Sequence, residues 1–162
     1  YDPEDHAVRL LPQHHDGRSV AAVAVAAHEV AHAIQHANGE RAFALRFDMV
    51  GKLIWIDRLA SGLLLLSPLV FILVKAPALL VLQVVAGLAL LMVRIGVHVV
   101  TLPVEFDASF GKALPALDRG GYLAAADMPG ARSVLRAAAW TYVAAALVTL
   151  LDVARWFRLL RF

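Results

Sequence analysis

HEVAH, at residues 28–32, lies within the apolar stretch VAAVAVAAHEVAHAIQHA that runs from residue 20 to 37. Ser19 precedes this stretch and can accept a hydrogen bond from a free backbone N–H at a helix start. Gly39 follows it and can adopt the left-handed conformation that ends many helices. We therefore predict a helix over residues 20–37, on which His28 and His32 share one face.

Two imidazoles on one helical face can bind a single zinc ion at about 2.0–2.1 Å. Glu29 follows the first histidine, so its carboxylate can take a proton from a zinc-activated water and deliver it to a leaving amine. This H-E-x-x-H pattern is typical of metalloproteases. The alternative is a chance pair of histidines, which is disfavoured because unpartnered polar groups on an apolar helix cost free energy.

A catalytic zinc ion usually has three protein ligands and one open position. One class of site takes a histidine six residues after the second ligand, and Asn38 at that position excludes it here. His36 lies one turn beyond His32 and is expected to face solvent or to support the site. The remaining candidate is a glutamate from a second helix, and Glu105, within TLPVEFDAS, is the predicted third ligand.

Several other polar residues remain open in their roles. Asp107 is two residues beyond Glu105, so we expect it on another face, as a cap or a supporting contact and not as a ligand. Arg94 and His98 are functional candidates because they lie in or near a membrane segment, although a position at the membrane interface explains them equally well. Tyr122 or Tyr142 could stabilise an oxyanion, and the spacing selects neither.

The composition indicates a membrane protein. Hydrophobic residues make up 60% of the 162 residues, against about 45–50% in a typical soluble domain, and the mean hydropathy is +0.70. Uncharged runs cover residues 59–74, 76–93 and 137–151, and a membrane helix needs about 20 mostly apolar residues. Lys75 and Pro77 separate the first two runs and predict a helical hairpin. A soluble domain with these runs as core helices is the alternative.

The hairpin returns the chain to the membrane surface from which it entered, so the zinc helix and Glu105 are expected to face each other there. Pro103 suits the first turn of a new helix that carries Glu105. Residues 7–11 predict a small β element near the N-terminus. Because the chain opens on Tyr-Asp-Pro, we expect that an N-terminal part of the full protein is missing.

The predicted fold is therefore a mainly α-helical integral membrane protein with a small β element. A single domain, 1–162, is expected to have four parts. These are the zinc helix with an interfacial amphipathic segment (1–58), the transmembrane hairpin (59–101), the third-ligand segment (102–136), and a C-terminal membrane helix with a basic tail (137–162).

The sequence resembles the bacterial membrane zinc metallopeptidases of the YugP type, the putative neutral zinc metallopeptidases. The resemblance extends over nearly the whole chain. It is carried by YDP and VRLLP near the start, GRSVAAVAVAAHEVAHAIQ at 17–35, LPVEFDAS at 102–109 and AAAWTYVAAAL at 137–147.

This resemblance implies zinc at His28 and His32, with Glu29 as general base and acid, and it strengthens Glu105. Two departures concern the site. Ala31 stands where the family usually has glycine. In distantly similar membrane gluzincins the third ligand opens a Glu-x-x-x-Asp pattern, and here its last position is Ser109. The family also usually begins with a further membrane helix.

The predicted function is a zinc-dependent membrane endopeptidase with one catalytic Zn²⁺ that cleaves membrane or membrane-adjacent polypeptides. A non-catalytic zinc-bound scaffold or chaperone-like protein is the main alternative, and a small transporter is disfavoured because no polar residues group at the bilayer midplane. Nucleic acid is not an expected partner, since the net charge is only +2 and no basic run is interleaved with aromatics. Without cysteine, neither disulfides nor Cys-type zinc sites can form.

We expect the protein in the bacterial inner membrane. Basic residues flank both outer ends of the hairpin, which favours an active site on the cytoplasmic side. The arginine-rich tail falls on the opposite side if the third run spans fully, so the orientation stays open.

Overall fold

The computed structural model describes residues 1–160, apart from the side chains at positions 71, 153, 156, 157, 159 and 160. The chain is mainly helical, as predicted. Its elements are α1 (Pro12–His15), α2 (Val20–Ala37), α3 (Arg41–Val74), α4 (Pro77–Phe106), a π-helix (Asp107–Ala113), α5 (Leu114–Gly120) and α6 (Met128–Leu160).

The predicted bounds of the zinc helix α2 are confirmed. The hydroxyl of Ser19 accepts a hydrogen bond from the backbone N–H of Ala22 at 3.1 Å. At the other end Gly39 has φ +63°, the left-handed conformation that a side chain would disfavour. The apolar stretch and its two polar ends therefore determine where α2 begins and ends.

The predicted β element is wrong. Residues 1–160 contain no strand, and the N-terminal segment forms only an isolated antiparallel bridge between Asp2 and Ala7. The physical reason is that residues 8–11 have no neighbouring strand to complete a ladder, and Pro12 then opens α1, where its missing N–H is not needed.

Two helix boundaries also differ from prediction. The interfacial segment and the first membrane segment form one continuous helix, α3, because no strong turn signal separates them and the glycines at 51 and 62 are accommodated inside the helix. Pro103 does not begin a new helix but lies inside α4. Glu105 is consequently part of the last turn of α4, and the new local structure begins only at Asp107.

Three helical segments within the described residues are long and apolar enough to cross a membrane, by length and composition. They are Arg41–Val74, Pro77–Gly120 and Met128–Asp152. This finding fits a membrane protein and agrees with the three runs predicted from the sequence.

The chain separates into two compact units. The site unit contains Tyr1–Arg46 and Val100–Tyr142, and the hairpin unit contains Phe47–Val99 together with the residues from Val143 onward. The two differ in character, because the site unit holds the histidine helix whereas the hairpin unit is formed by long apolar helices.

Within the hairpin unit, α3 and α4 pack through a small apolar cluster: Ala60, Leu64, Val84, Leu88 and Leu91. Polar groups also join the two helices. Gln83 Nε2 donates to the carbonyl of Leu63 at 2.7 Å, and Arg94 forms an ion pair with Asp57 at 2.6 Å. Arg94 therefore has an ion-pair partner within the hairpin.

Gly87 allows the closest approach between the two hairpin helices. A Cβ atom at this position would lie 2.7 Å from Leu64 Cγ and 2.8 Å from Leu64 Cδ2. Such distances are too short for two carbon atoms that are not bonded to each other. Position 87 therefore requires glycine, which has no side chain. Small residues at helix contacts are a common device in membrane helix pairs.

We predict that Gly87→Val lowers the free energy of unfolding by about 1–3 kcal/mol, because the added methyl groups overpack the α3–α4 contact. Unfolding in detergent, followed by circular dichroism, measures this change. Gly96→Ala is the control, since nothing lies within 4 Å of its Cβ position. Leu64→Ala should recover part of the loss in the double variant, and additive losses would contradict the contact.

Candidate metal centre

Three potential metal-binding atoms converge between α2 and the end of α4. His28 Nε2 lies 3.2 Å from Glu105 Oε2, and His32 Nε2 lies 3.7 Å from the same oxygen. The three side chains are buried, at 8%, 5% and 2% exposure respectively. In the described part of the chain this is the one group of at least three histidine or acidic side chains with donor atoms within 4.8 Å of each other.

This donor set fits zinc. Two ligands held about 2.0–2.1 Å from a tetrahedral ion are themselves about 3.4 Å apart, close to the two separations observed here. Two imidazole nitrogens and one carboxylate oxygen also match a common catalytic zinc set. Residues of these types are costly to bury together unless a charge or a metal compensates them.

Ser109 in the π-helix contacts the first histidine at Nδ1, the ring nitrogen that does not face Glu105. Its Oγ lies 3.2 Å from His28 Nδ1, and Ser109 is fully buried. A hydroxyl here orients the ring so that Nε2 is directed toward Glu105. The position that carries aspartate in the distantly similar gluzincins is therefore occupied by a serine that still contacts a histidine.

Gln35 contacts the second histidine in the same way. Gln35 Oε1 lies 2.9 Å from His32 Nδ1, and both side chains come from α2, three residues apart. In this way His28 and His32 each have a polar partner on Nδ1, which leaves Nε2 of each ring toward Glu105. Such outer partners usually fix the orientation of metal-binding histidines.

The other oxygen of the Glu105 carboxylate is paired with Arg46 from the first turns of α3. Arg46 Nη2 lies 2.8 Å from Glu105 Oε1 and also donates to the hydroxyl of Tyr142 at 3.0 Å. With Oε1 paired to a guanidinium, Oε2 is the oxygen that faces the two imidazoles. Glu105 is thus arranged to offer one oxygen to a metal ion, which preserves an open position.

Glu29 is not one of the three converging side chains. Its side chain is 26% exposed. A carboxylate that is adjacent to the first histidine but accessible to solvent is suited to exchanging protons with water and substrate, and not to holding the metal.

The other candidates from the sequence lie elsewhere. His36 Nδ1 lies 2.9 Å from the hydroxyl of Tyr1, and its ring stacks on His6 with centroids 4.8 Å apart. His98 belongs to the hairpin unit. Tyr142 contacts Arg46, whereas Tyr122 is 70% exposed and lines an apolar groove on another face of α2.

Small side chains allow α2 and the π-helix to approach closely. Ala24 and Ala31 of α2 pack with Ala108 and Ala113 in one buried cluster. Ala31, where the resemblance leads us to expect glycine, is 1% exposed. The position therefore tolerates one methyl group but leaves little room for a larger side chain.

The comparisons with known proteins place the chain in a family of zinc peptidases. The model of the family described as "Putative neutral zinc metallopeptidase" matches residues 1–161, and the chain belongs to this family. The resemblance noted in the sequence is thereby confirmed.

Among curated proteins the chain is similar to "Putative membrane protease YugP" of Bacillus subtilis (strain 168). The two are 39% identical over 157 residues, which cover 96% of this chain. The chain spans 65% of the length of that relative. No solved structure matches the chain.

Sequence reasoning missed Arg46 and Gln35. Arg46 was counted only as a basic residue near the hairpin, and nothing in its local pattern connects it with a glutamate 59 positions away. Gln35 offered a weak signal, because a glutamine on the same face as two histidines of an apolar helix needs a polar partner.

We predict that Glu105→Ala lowers the zinc bound per purified chain, because it removes the one anionic donor of the group. Metal analysis after dialysis measures the loss, with Glu4→Ala as the control, since Glu4 is exposed. Unchanged zinc content would contradict the role of Glu105 and direct attention to His36, His98 or Asp107.

We also predict that Arg46→Met destabilises the metal-free chain by up to about 3–5 kcal/mol, because it leaves the buried Glu105 carboxylate without its cation. Thermal unfolding in the presence of a chelator measures the effect. Arg119→Met is the control, since Arg119 is exposed. If the two side chains are coupled, the double variant Arg46→Met, Glu105→Gln loses less free energy of unfolding than the two single variants lose together. A loss equal to that sum would contradict the pairing.

Proposed function

We propose that this protein is a zinc-dependent membrane endopeptidase that hydrolyses peptide bonds of membrane or membrane-adjacent polypeptides. The observation that carries this proposal is the convergence of His28 Nε2, His32 Nε2 and Glu105 Oε2 within a buried site, at separations that suit one zinc ion. The family and the name of the Bacillus subtilis relative support the same reaction class.

The residues have distinct roles in this proposal. His28, His32 and Glu105 would hold the single zinc ion, which would supply Lewis acidity to polarise a peptide carbonyl and to activate water. Glu29 is the general base that accepts the proton of the attacking water. The same carboxylate then donates a proton to the amine of the leaving peptide, a step that needs an accessible group near the metal.

Arg46 and Tyr142 set the electrostatics on the far side of the carboxylate ligand. Because the guanidinium compensates the charge of Glu105, the site can retain a carboxylate in a buried position beside two imidazoles. A zinc ion held by a carboxylate that is paired in this way would keep more of its positive charge, which would favour the activation of water.

The substrate class follows from the apolar helices of the same chain. Three segments have the length and composition of membrane spans. A protein anchored by them would encounter polypeptides that lie in or next to the bilayer, and these are the proposed substrates. The proposal includes a bacterial inner membrane and, from the basic residues that flank the hairpin, an active site on the cytoplasmic side.

We predict that Glu29→Gln retains zinc but loses about 10²–10⁴-fold in kcat/KM, because the amide cannot accept a proton. The experiment uses the purified protein in detergent, an unfolded membrane protein as substrate, and parallel metal analysis. Glu4→Gln is the matched control, as an exposed glutamate outside the site.

A chelator arm distinguishes the peptidase from a zinc-bound scaffold. Cleavage by the wild-type protein should stop on zinc removal and return when zinc is added back. Full activity of Glu29→Gln would overturn the role of Glu29. If zinc binds and no polypeptide is cleaved, the non-catalytic scaffold or chaperone-like protein becomes the better description.

A further inference from the structure

Gln35 lies at the contact between α2 and the chain that follows the last turn of α4. It is 1% exposed, and its Nε2 donates two hydrogen bonds. One goes to the backbone carbonyl of Val104 at 2.9 Å, and the other goes to Asp107 Oδ2 at 2.7 Å. A carbonyl and a carboxylate both accept hydrogen bonds, so only the NH₂ end of the amide can occupy this position.

The orientation of this amide determines which nitrogen of His32 carries hydrogen. Because Nε2 of Gln35 faces two acceptors, its Oε1 is the atom that lies 2.9 Å from His32 Nδ1. An oxygen of this kind can only accept, so Nδ1 must be the donor. In the neutral imidazole Nε2 then has a free lone pair, and Nε2 is the nitrogen that faces Glu105 Oε2.

Asp107 is itself held in place by two features of the π-helix. Its carboxylate pairs with Lys112, whose ammonium also lies 2.9 Å from Glu40 Oε1. A Cβ atom at position 111 would collide with Asp107 Oδ1, so Gly111 provides the space that this carboxylate occupies. The position of Asp107 toward Gln35 is therefore determined both by charge and by the absence of a side chain.

We propose that Gln35 and Asp107 are positioning residues that fix the metal-binding tautomer of His32. Asp107 orients the amide of Gln35, and the amide in turn holds hydrogen on Nδ1 of His32 and keeps Nε2 free for the metal. Neither residue is one of the three converging donor side chains. This inference rests on the proposed zinc role of His32, but its structural part concerns the metal-free chain and can be tested separately.

The first test is the tautomer of His32 in metal-free protein. ¹⁵N NMR of histidine-labelled protein distinguishes Nδ1–H from Nε2–H, and His32→Asn assigns the signals. The wild-type chain should show Nδ1–H at His32. Gln35→Met keeps a similar volume but has no acceptor oxygen, so the Nε2–H form should appear. An unchanged Nδ1–H population in folded Gln35→Met would overturn the proposal.

The second test is zinc affinity, measured by competition with a chromogenic chelator. Gln35→Glu should bind zinc about 10–100-fold more weakly, the usual size of effect when the outer contacts of a metal-binding histidine are disturbed. The cause is that a carboxylate at position 35 faces the Asp107 carboxylate and the Val104 carbonyl, so the amide-specific pairing is lost. Gln13→Met is the control, because Gln13 is exposed on α1.

A double variant separates positioning from general damage to the fold. The double variant combines Gln35→Glu with Asp107→Asn. Its amide at position 107 can donate a hydrogen bond to the carboxylate at position 35, so the hydrogen bond between the two positions is restored with donor and acceptor exchanged. Zinc affinity should then recover by about tenfold or more relative to Gln35→Glu alone. No recovery would overturn the proposed role of Asp107.

These outcomes are independent of peptidase activity. If the wild-type chain shows Nδ1–H at His32 and binds zinc but cleaves nothing, the endopeptidase proposal fails while the positioning roles stand. If it cleaves substrate while Nδ1 of His32 carries no hydrogen in the metal-free chain, the positioning roles fail and the peptidase stands.

Discussion

The burial of the Glu105 carboxylate is the constraint on which the site unit depends. A carboxylate that is almost fully removed from water is stable only with partners that compensate its charge. Here two imidazoles from α2 face one oxygen, and a guanidinium from the start of α3 faces the other. These partners fix how the two helices meet the end of α4, and the same arrangement leaves one carboxylate oxygen available for a metal ion.

Close packing makes this arrangement possible, since the alanines of α2 present a nearly smooth surface to the π-helix. Through that contact Ser109 reaches Nδ1 of His28. Asp107 accepts a hydrogen bond from Gln35, and Gln35 in turn contacts Nδ1 of His32. The electrostatics of the ligands and the packing of the helices are therefore two aspects of one contact. The same chain contains three helical segments that are long and apolar enough to cross a membrane.

Local signals carried most of what the sequence could predict. Ser19 and Gly39 give the ends of α2, the uncharged runs give the membrane segments, and HEVAH with Glu105 gives a donor set that the fold brings together. Interactions between distant positions could not be predicted, because the pairing of Arg46 with Glu105 depends on how α3 packs. The β element was wrong because residues 8–11 lack a partner strand, and the continuity of α3 was missed because its polar start resembled a separate interfacial helix.

The π-helix has a consequence for how this protein can vary in length. A π-helix contains one more residue than an α-helix of the same number of turns, and each residue turns an α-helix by about 100°. Deleting a single residue between Asp107 and Ala113 would allow the segment to become ordinary α-helix, and everything after the deletion would rotate relative to Glu105. Insertions and deletions are therefore tolerated far less here than in the loop between α5 and α6, and the length of this segment is as much a part of the site as the identity of its ligands.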